Sequence, residues 1–293
     1  MMNLSAGPRA PIADRCTRCG RDPLAVDTPA GRITLSKPSK MPGYAFGTTA
    51  GDTCPAAKRT LRDYGKSAVC ASCYACRGNY TFPNVRAAYQ RRGAFLQYSI
   101  REDSGESAIK VLSYLIGRAT IDAEPIFRVS DSGDLFRPEV ANVWSRVADN
   151  LPGVSFWIPT REYLRPIMLP HLRKLNARRN VVVRPSAAVI GQGAPDVPGL
   201  SAGTAVIGGD VPAGHYACPA TQPGNPSSCD GNACRACWNS TARIAYTFHG
   251  GNAPARNVAA IARARSYVRT LGQARNVEAI ARARSYVRTL PVA

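Results

Sequence analysis

The sequence predicts an α/β fold in which parallel strands alternate with helices. Between residues 125 and 207, short apolar runs alternate with amphipathic helical patterns. This alternation is typical of βαβ units, because parallel strands need long connections that a helix usually supplies. With 45% hydrophobic residues among 293, the chain can bury the core of one large domain or of two small ones.

The individual elements follow from the spacing of the apolar residues. Helices are predicted at 85–100 and 107–118, ahead of the alternating region. Residues 41–80 are rich in Gly and Cys with little periodicity, as expected of loops that form a site. The alternating region is then predicted, in chain order, as strand 125–129, helix 138–149, strand 154–158, helix 163–176, strand 180–183 and strand 205–207.

Composition divides the chain into three parts. Residues 1–35 are rich in Pro, Arg, Thr and Ser and are predicted to be a flexible arm, which contains Cys16 and Cys19. Residues 36–249 form the predicted α/β domain. Residues 250–293 form an Arg-rich helical tail, in which 255–271 and 274–290 agree at 16 of 17 positions. Identity this high indicates a recent duplication, so we expect the second copy to be dispensable.

The net charge of +19, from 38 Lys and Arg against 19 Asp and Glu, favours a polyanionic partner such as nucleic acid. The alternative is that an Arg-rich genome simply uses Arg in place of Lys. No apolar run approaches the roughly 20 residues of a membrane span, and the N-terminus lacks the apolar centre of a signal peptide. We therefore expect a cytoplasmic protein whose thiols stay reduced.

The strongest chemical signal is a group of four cysteines near the end of the predicted domain: Cys218, Cys229, Cys234 and Cys237. They lie among Gly, Pro, Asn and Asp rather than on an apolar face, which disfavours buried structural thiols. Four thiolates within 20 residues can close a zinc site or hold an iron–sulfur cluster. Spacing alone does not decide between the two metals.

The other group comes earlier in the chain and is called the first cysteine group below, whereas Cys218–Cys237 is called the second. It comprises Cys54, Cys70, Cys73 and Cys76 and lies in the predicted site-forming loops. If Cys54, Cys70 and Cys73 hold a four-iron cluster, one iron lacks a protein ligand and is open to a substrate or cofactor. If Cys76 is the fourth ligand, the site is only structural. Both arrangements are compatible with the spacing.

Polar residues follow the predicted strands, where the functional loops of parallel sheets lie. Asp131 and Asp134 bind a ligand or form a turn, and Arg161 and Glu162 bind an anion or pair with each other. Further residues have weaker signals: Arg184 and Ser186 follow the next strand, and His215 is interpreted as a bystander near Cys218. The chain has no P-loop, no Ser-His-Asp arrangement and no Gly-x-Gly-x-x-Gly, which leaves NTPase, serine hydrolase and ordinary dehydrogenase functions without support.

Several segments resemble the phage gene product 88 family, which occurs in phages and plasmids. The matches keep their order from about residue 36 to 249, so they cover most of the chain. At the position of Cys76 the family usually has another residue, which implies that Cys76 is not a ligand. The matching segments are SKMPG at 39–43, CASCYA at 70–75, GNYTFPNV at 78–85, DSGDL at 131–135, PTREY at 159–163, GHYACPA at 214–220 and CRACW at 234–238.

The Cys-x-x-Cys-Tyr-Ala segment and the later Ser-Asp…Asp-Leu-Phe segment also resemble phage-encoded radical S-adenosylmethionine proteins. That resemblance implies a partial (β/α) barrel with parallel strands, capped by a cluster on Cys54, Cys70 and Cys73. The residues it implies for binding S-adenosylmethionine are Tyr74, Ser130, Asp131 and Asp134. Two features of those enzymes are missing here, namely the usual Cys-x-x-x-Cys spacing and a Gly-Gly-Glu motif.

Two hypotheses follow. The first is a phage- or plasmid-type iron–sulfur enzyme of the radical S-adenosylmethionine type, with one or two 4Fe–4S clusters and an unknown substrate, either nucleic acid or a nucleotide. The alternative is a non-enzymatic, zinc-stabilised protein that binds nucleic acid through its Arg-rich surface. The catalytic residues and the oligomeric state do not follow from the sequence.

Overall fold

The computed structural model describes residues 24–248. Proline begins three of its helices, at the first helical position, where the missing N–H costs no hydrogen bond. The elements in chain order are β1 (Ala25–Thr28), β2 (Gly31–Thr34), β3 (Tyr44–Phe46), α1 (Pro55–Tyr64), α2 (Pro83–Asp103), α3 (Glu106–Thr120), β4 (Ile126–Val129), α4 (Pro138–Asn150), β5 (Ser155–Thr160), α5 (Leu169–Asn176), β6 (Val181–Pro185), β7 (Thr204–Ile207), β8 (Tyr216–Ala217) and β9 (Ile244–Thr247).

A parallel sheet of order β3-β4-β5-β6 forms the centre of the domain. The α/β prediction with parallel strands is therefore confirmed, and each of the four predicted strands lies within two residues of an observed one. One face of the sheet carries Phe127, Phe156 and Val183, which pack with the helices in the main hydrophobic core. The next residues along the strands, Arg128, Trp157 and Arg184, therefore lie on the opposite face.

A second parallel sheet, β7-β9-β8, follows the central one. An isolated parallel bridge between Ser186 and Thr204 links the two sheets after the end of β6. Ile244 of β9 packs with Trp157 and the buried Cys218 and Cys237, so this sheet helps to cover the second face of β5. Over residues 24–248 the strands do not close into a barrel.

Three predictions need correction. The stretch assigned to the flexible arm contains the antiparallel hairpin β1-β2, whose Val26 and Ile33 are fully buried in the main core. The ordered domain thus begins before residue 36. Residues 55–64, expected to be loop, form helix α1, and the helix predicted at 163–176 is shortened to α5 because Glu162–Leu164 and Pro166–Met168 form separate 3₁₀ turns.

The predictions for Cys16, Cys19 and the duplicated tail concern residues that lie outside the described range of 24–248. Within the described part of the chain, no helix is both long and apolar enough to cross a membrane.

Candidate metal centres and the loops around them

The first cysteine group lies on 3₁₀ turns that precede α2. Cys70, Cys73 and Cys76 are three residues apart, with backbone bonds from Cys73 N to Cys70 O (3.4 Å) and from Cys76 N to Cys73 O (3.2 Å). Cys73 separates two such turns with extended backbone (φ −56°, ψ 120°), and its thiol interacts with those of both Cys70 and Cys76, so the three thiols lie close together. Cys54 joins them from the N-terminus of α1, where it precedes Pro55.

These four thiols form one electrostatic unit. The Cys76 thiol donates a hydrogen bond to Cys73, which lowers the pKa of Cys73 to about 6. Burial raises the pKa of Cys54 well above its ordinary value, and the charges of Asp134 and Cys73 add to this shift. Burial also raises the pKa of Cys70, against the opposing effect of the nearby Arg161 guanidinium. Arg161 is thus the cation that faces this group.

The thiols are not arranged around a single ion. In the described part of the chain, no three His, Cys, Asp or Glu side chains are positioned to hold one metal ion. In a 4Fe–4S cluster each cysteine binds a different iron, so the sulfurs of its ligands lie further apart than those around one ion. The donor set of soft thiols with a nearby cation is of the kind that holds such a cluster.

The group lies over the carboxyl edge of the central sheet. Arg161 directly follows β5, and Val69 N donates to Ala188 O (2.9 Å) in the loop after β6. Glu162, fully buried, accepts a hydrogen bond from Ala56 N (2.9 Å) at the start of α1 and pairs with Arg165 (2.6 Å). Glu162 therefore holds the helix that presents Cys54, and its ion-pair partner is Arg165 rather than Arg161.

Asp134 ties the ends of two neighbouring strands together. Its Oδ1 accepts hydrogen bonds from Thr160 Oγ1 (2.6 Å) and Leu135 N (2.7 Å), and its Oδ2 accepts one from Arg161 N (2.9 Å). Burial raises the pKa of this carboxyl. Both oxygens of Asp134 are thus engaged by the protein itself.

Asp131 is surrounded by three tyrosines. Tyr89 donates to its Oδ2 (2.5 Å), whereas Tyr74 (2.6 Å) and Tyr80 (3.4 Å) donate to its backbone oxygen. The Oδ1 atom of Asp131 is buried without a hydrogen-bond partner. Ser130, before it, adopts a left-handed φ of 60°, which favours the sharp turn at the end of β4. The sequence-predicted residues Tyr74, Asp131 and Ser130 are therefore brought together.

A small cavity of about 60 Å³ opens beside Cys76. It is lined by Thr49, Ala50, Ala75, Cys76, Tyr80, Thr81, Arg86, Tyr89 and Ser132. Its volume corresponds to about two waters, and is well below the roughly 300 Å³ of small ligand pockets.

The second cysteine group consists of Cys218, Cys229, Cys234 and Cys237, of which Cys218 and Cys237 are buried. Cys218 N donates to Ala245 O of β9 (2.8 Å), and Cys229 N donates to Lys40 O (2.9 Å). Cys234 N donates to Cys229 O (2.9 Å), which closes the loop between them. Burial raises the pKa of Cys229 to about 11 and that of Cys237 to about 12, and neighbouring thiols contribute. The thiols of this group therefore also interact electrostatically with one another.

Arg184 holds the loop of this second group in place. Its buried guanidinium donates to the backbone oxygens of Ala202 (2.5 Å), Ala242 and Asn239. Its donors therefore bind carbonyls rather than an external anion. His215 accepts a hydrogen bond from Ala194 N (3.1 Å) through Nε2, which gives it a structural role.

Sequence reasoning missed a row of side chains that links the two groups. Arg128 lies over the Trp157 ring (4.6 Å to the centroid) and donates to Tyr74 Oη (2.8 Å), which follows Cys73. Trp157 in turn packs edge-on against Trp238, which follows Cys237 (5.3 Å between centroids). Only the pairing of Arg128 with Trp157 across β4 and β5 brings these residues together, and no local pattern in the sequence predicts that register.

A family model described as Gene product 88 matches residues 20–239. Comparison with curated proteins gives no match, and comparison with solved structures gives none either.

Proposed function

For this chain, which belongs to the gene product 88 family, we propose the function of an iron–sulfur enzyme whose reactive cluster binds at Cys54, Cys70 and Cys73. The observation that carries it is that the thiols of Cys54, at the start of α1, and of Cys70 and Cys73, in the segment after it, come together above the carboxyl edge of a parallel sheet. Loops at that edge are the usual place for function in α/β proteins. The two parallel sheets, linked at Ser186 and Thr204, are consistent with the partial barrel that we expected.

A positively charged side chain lies beside the proposed cluster, whose thiolates are negatively charged. Arg161 lies near Cys70 and Cys73 and offsets the negative charge of thiolate-bound iron. Cys76 hydrogen-bonds Cys73 and also lines the cavity of about 60 Å³, so it adjoins both the other thiols and that small space. With three thiolates bound, a 4Fe–4S cluster offers one open iron for a ligand and a source of one electron.

The residues present fit the cluster better than they fit S-adenosylmethionine. Both oxygens of Asp134 and the hydroxyl of Tyr74 are engaged within the protein, and the cavity beside Cys76 holds only about 60 Å³. Among the groups that we assigned to this cofactor, the Oδ1 atom of Asp131 is the buried acceptor without a protein partner. We therefore assign S-adenosylmethionine no binding geometry, and we use this molecule only as a probe of an open iron.

We assign the second cysteine group a structural rather than a reactive role, and within residues 24–248 its thiols, like those of the first group, are not positioned around one ion. Cys218 and Cys237 are buried against Trp157 and Ile244, and Arg184 fixes the surrounding backbone. Zinc or a second cluster at this site would stabilise the fold, since a site formed only in the folded chain adds its binding energy to folding. This packing also keeps the alternative function, a zinc-stabilised nucleic-acid-binding protein, as the second candidate.

Anaerobic purification with assays for iron, acid-labile sulfide and zinc tests the proposal. We expect about four iron and four sulfide per chain from the first group, and an electron paramagnetic resonance signal after reduction. A change in that signal on adding S-adenosylmethionine would support an open iron. A colourless protein that contains zinc and no sulfide would exclude the proposed enzyme and favour the second candidate.

A further inference from the structure

The segment that carries the first cysteine group also presents aromatic rings to solvent. Tyr74 is 55% exposed and Phe82 is 54% exposed, whereas most large apolar side chains of this domain are buried. Ala75 and Thr81, their immediate chain neighbours, both line the cavity beside Cys76. Each exposed ring therefore belongs to a residue next in the chain to one that lines the cavity.

Tyr74 is held rigidly although its ring is exposed. Its hydroxyl donates to Asp131 O (2.6 Å) and accepts from Arg128 Nη2 (2.8 Å). The ring also packs edge-on against Tyr80 at 5.6 Å. A ring fixed at its hydroxyl end and open on its face loses little entropy when another flat group stacks on it.

Positive charge accompanies these rings. Residues 54–100 contain eight Lys and Arg against one acidic residue, Asp63. Arg86 lines the cavity, and its backbone N–H donates to Phe82 O (2.8 Å) at the start of α2, so the two residues are neighbours. Exposed rings beside an arginine match the chemistry of single-stranded nucleic acid, whose bases stack while its phosphates need cations.

We propose that the surface formed by Tyr74, Phe82 and Arg86 binds single-stranded nucleic acid next to the first cysteine group. This inference extends the proposed function, because it names the substrate class of the proposed cluster site. The surface does not itself need the cluster. Duplexes present their bases already stacked, so they cannot use the exposed rings in this way.

The test is fluorescence anisotropy of the full-length protein with labelled single strands of about 12 nucleotides. Separate arms use DNA, RNA and the corresponding duplex. Phe82→Ala should weaken single-strand binding about tenfold, the scale of one lost base stack. Arg86→Gln should weaken it and reduce the slope of log affinity against log salt by roughly 0.7, the value for one phosphate contact on a single strand.

Two matched controls lie away from this surface. Arg179 is exposed just before β6, at the amino edge of the sheet, and Ile121 is 59% exposed after α3. Arg179→Gln and Ile121→Ala remove the same charge and a comparable exposed apolar side chain, and they should leave binding unchanged. The Arg-rich tail is present in every variant, so its contribution cancels in the comparison.

Equal binding of duplex and single strand, or equal losses in the test and control variants, would overturn the inference. Preference for RNA over DNA or the reverse supports it and identifies the ligand. Iron and sulfide are measured on the same samples. If Phe82→Ala loses binding and the protein contains no iron, the proposed nucleic-acid surface is supported and the proposed enzyme is excluded.

Discussion

Glu162 accepts a hydrogen bond from the backbone N–H of Ala56 at 2.9 Å, across 106 positions of the chain. The loop after β5 thereby holds the start of α1, the helix that Cys54 precedes. The carboxyl edge of the sheet and the first cysteine group are thus joined by a buried side chain rather than by packing alone.

Replacing Glu162 by Gln should change the pH dependence of the protein's stability. Burial raises the pKa of Glu162 to about 7, whereas the unfolded side chain titrates near 4.3. The folded state therefore binds this proton more tightly, so the wild-type free energy of unfolding should fall, relative to Glu162→Gln, as pH rises from about 4.5 to 7. Urea unfolding at several pH values measures this, and parallel curves would contradict it.

Gly47→Ala should destabilise the loop that carries Asp131. A Cβ at Gly47 would lie 2.7 Å from both the N and O atoms of Ser132, and backbone atoms cannot easily move away. We expect a loss of about 1–3 kcal/mol. Gly93→Ala in α2 is the matched control, because its nearest neighbours lie at 3.8 Å. That change should stabilise the helix by about 0.5–1 kcal/mol, and thermal unfolding of both variants should show opposite shifts.

Arg184→Met should weaken the second metal site and spare the first. The substitution leaves the backbone oxygens of Ala202, Ala242 and Asn239 without their buried donor, at a cost of roughly 3 kcal/mol or more. Metal analysis after gel filtration should show loss at the second site only. Arg179→Met, which changes an exposed arginine, should retain all metal, and equal metal contents in the two variants would exclude this role of Arg184.

Deletion of residues 1–23 and deletion of residues 1–35 should have different effects. The longer deletion removes Val26 and Ile33 from the main core, and each buried side chain contributes about 1.5–3 kcal/mol. We expect the shorter variant to unfold like the full chain and the longer one to be markedly less stable. Similar denaturation midpoints for the two would mean that the hairpin contributes little.

The sequence predicts the central strands well, because apolar residues fill most positions of β4, β5 and β6 and most of these positions are buried. Helix α1 was missed because its segment is short and lies beside cysteines and glycines. Pro55 at its start and Gly65 at its end were the signals that could have identified it. The hairpin was missed because β1 and β2 have only four residues each, too few for a clear alternation.

Residue spacing and short motifs in the sequence predict only part of the candidate site. The cysteine groups follow from spacing, and Tyr74, Ser130 and Asp131 do lie together. Contacts between distant segments were not predictable, such as Glu162 with Ala56 or Arg128 with Trp157. The involvement of Asp134 with Thr160 and Arg161 likewise depends on how two strand ends meet, which a single sequence does not encode locally.

The most direct measurement of the central claim is the iron and sulfide content of Cys73→Ala and Cys76→Ala, each purified anaerobically beside the wild type. We predict that Cys73→Ala loses the first cluster. Cys76→Ala should keep that cluster and give an electron paramagnetic resonance signal that S-adenosylmethionine perturbs. An empty first site in Cys76→Ala would show four protein ligands and no open iron, and would contradict the proposed enzyme.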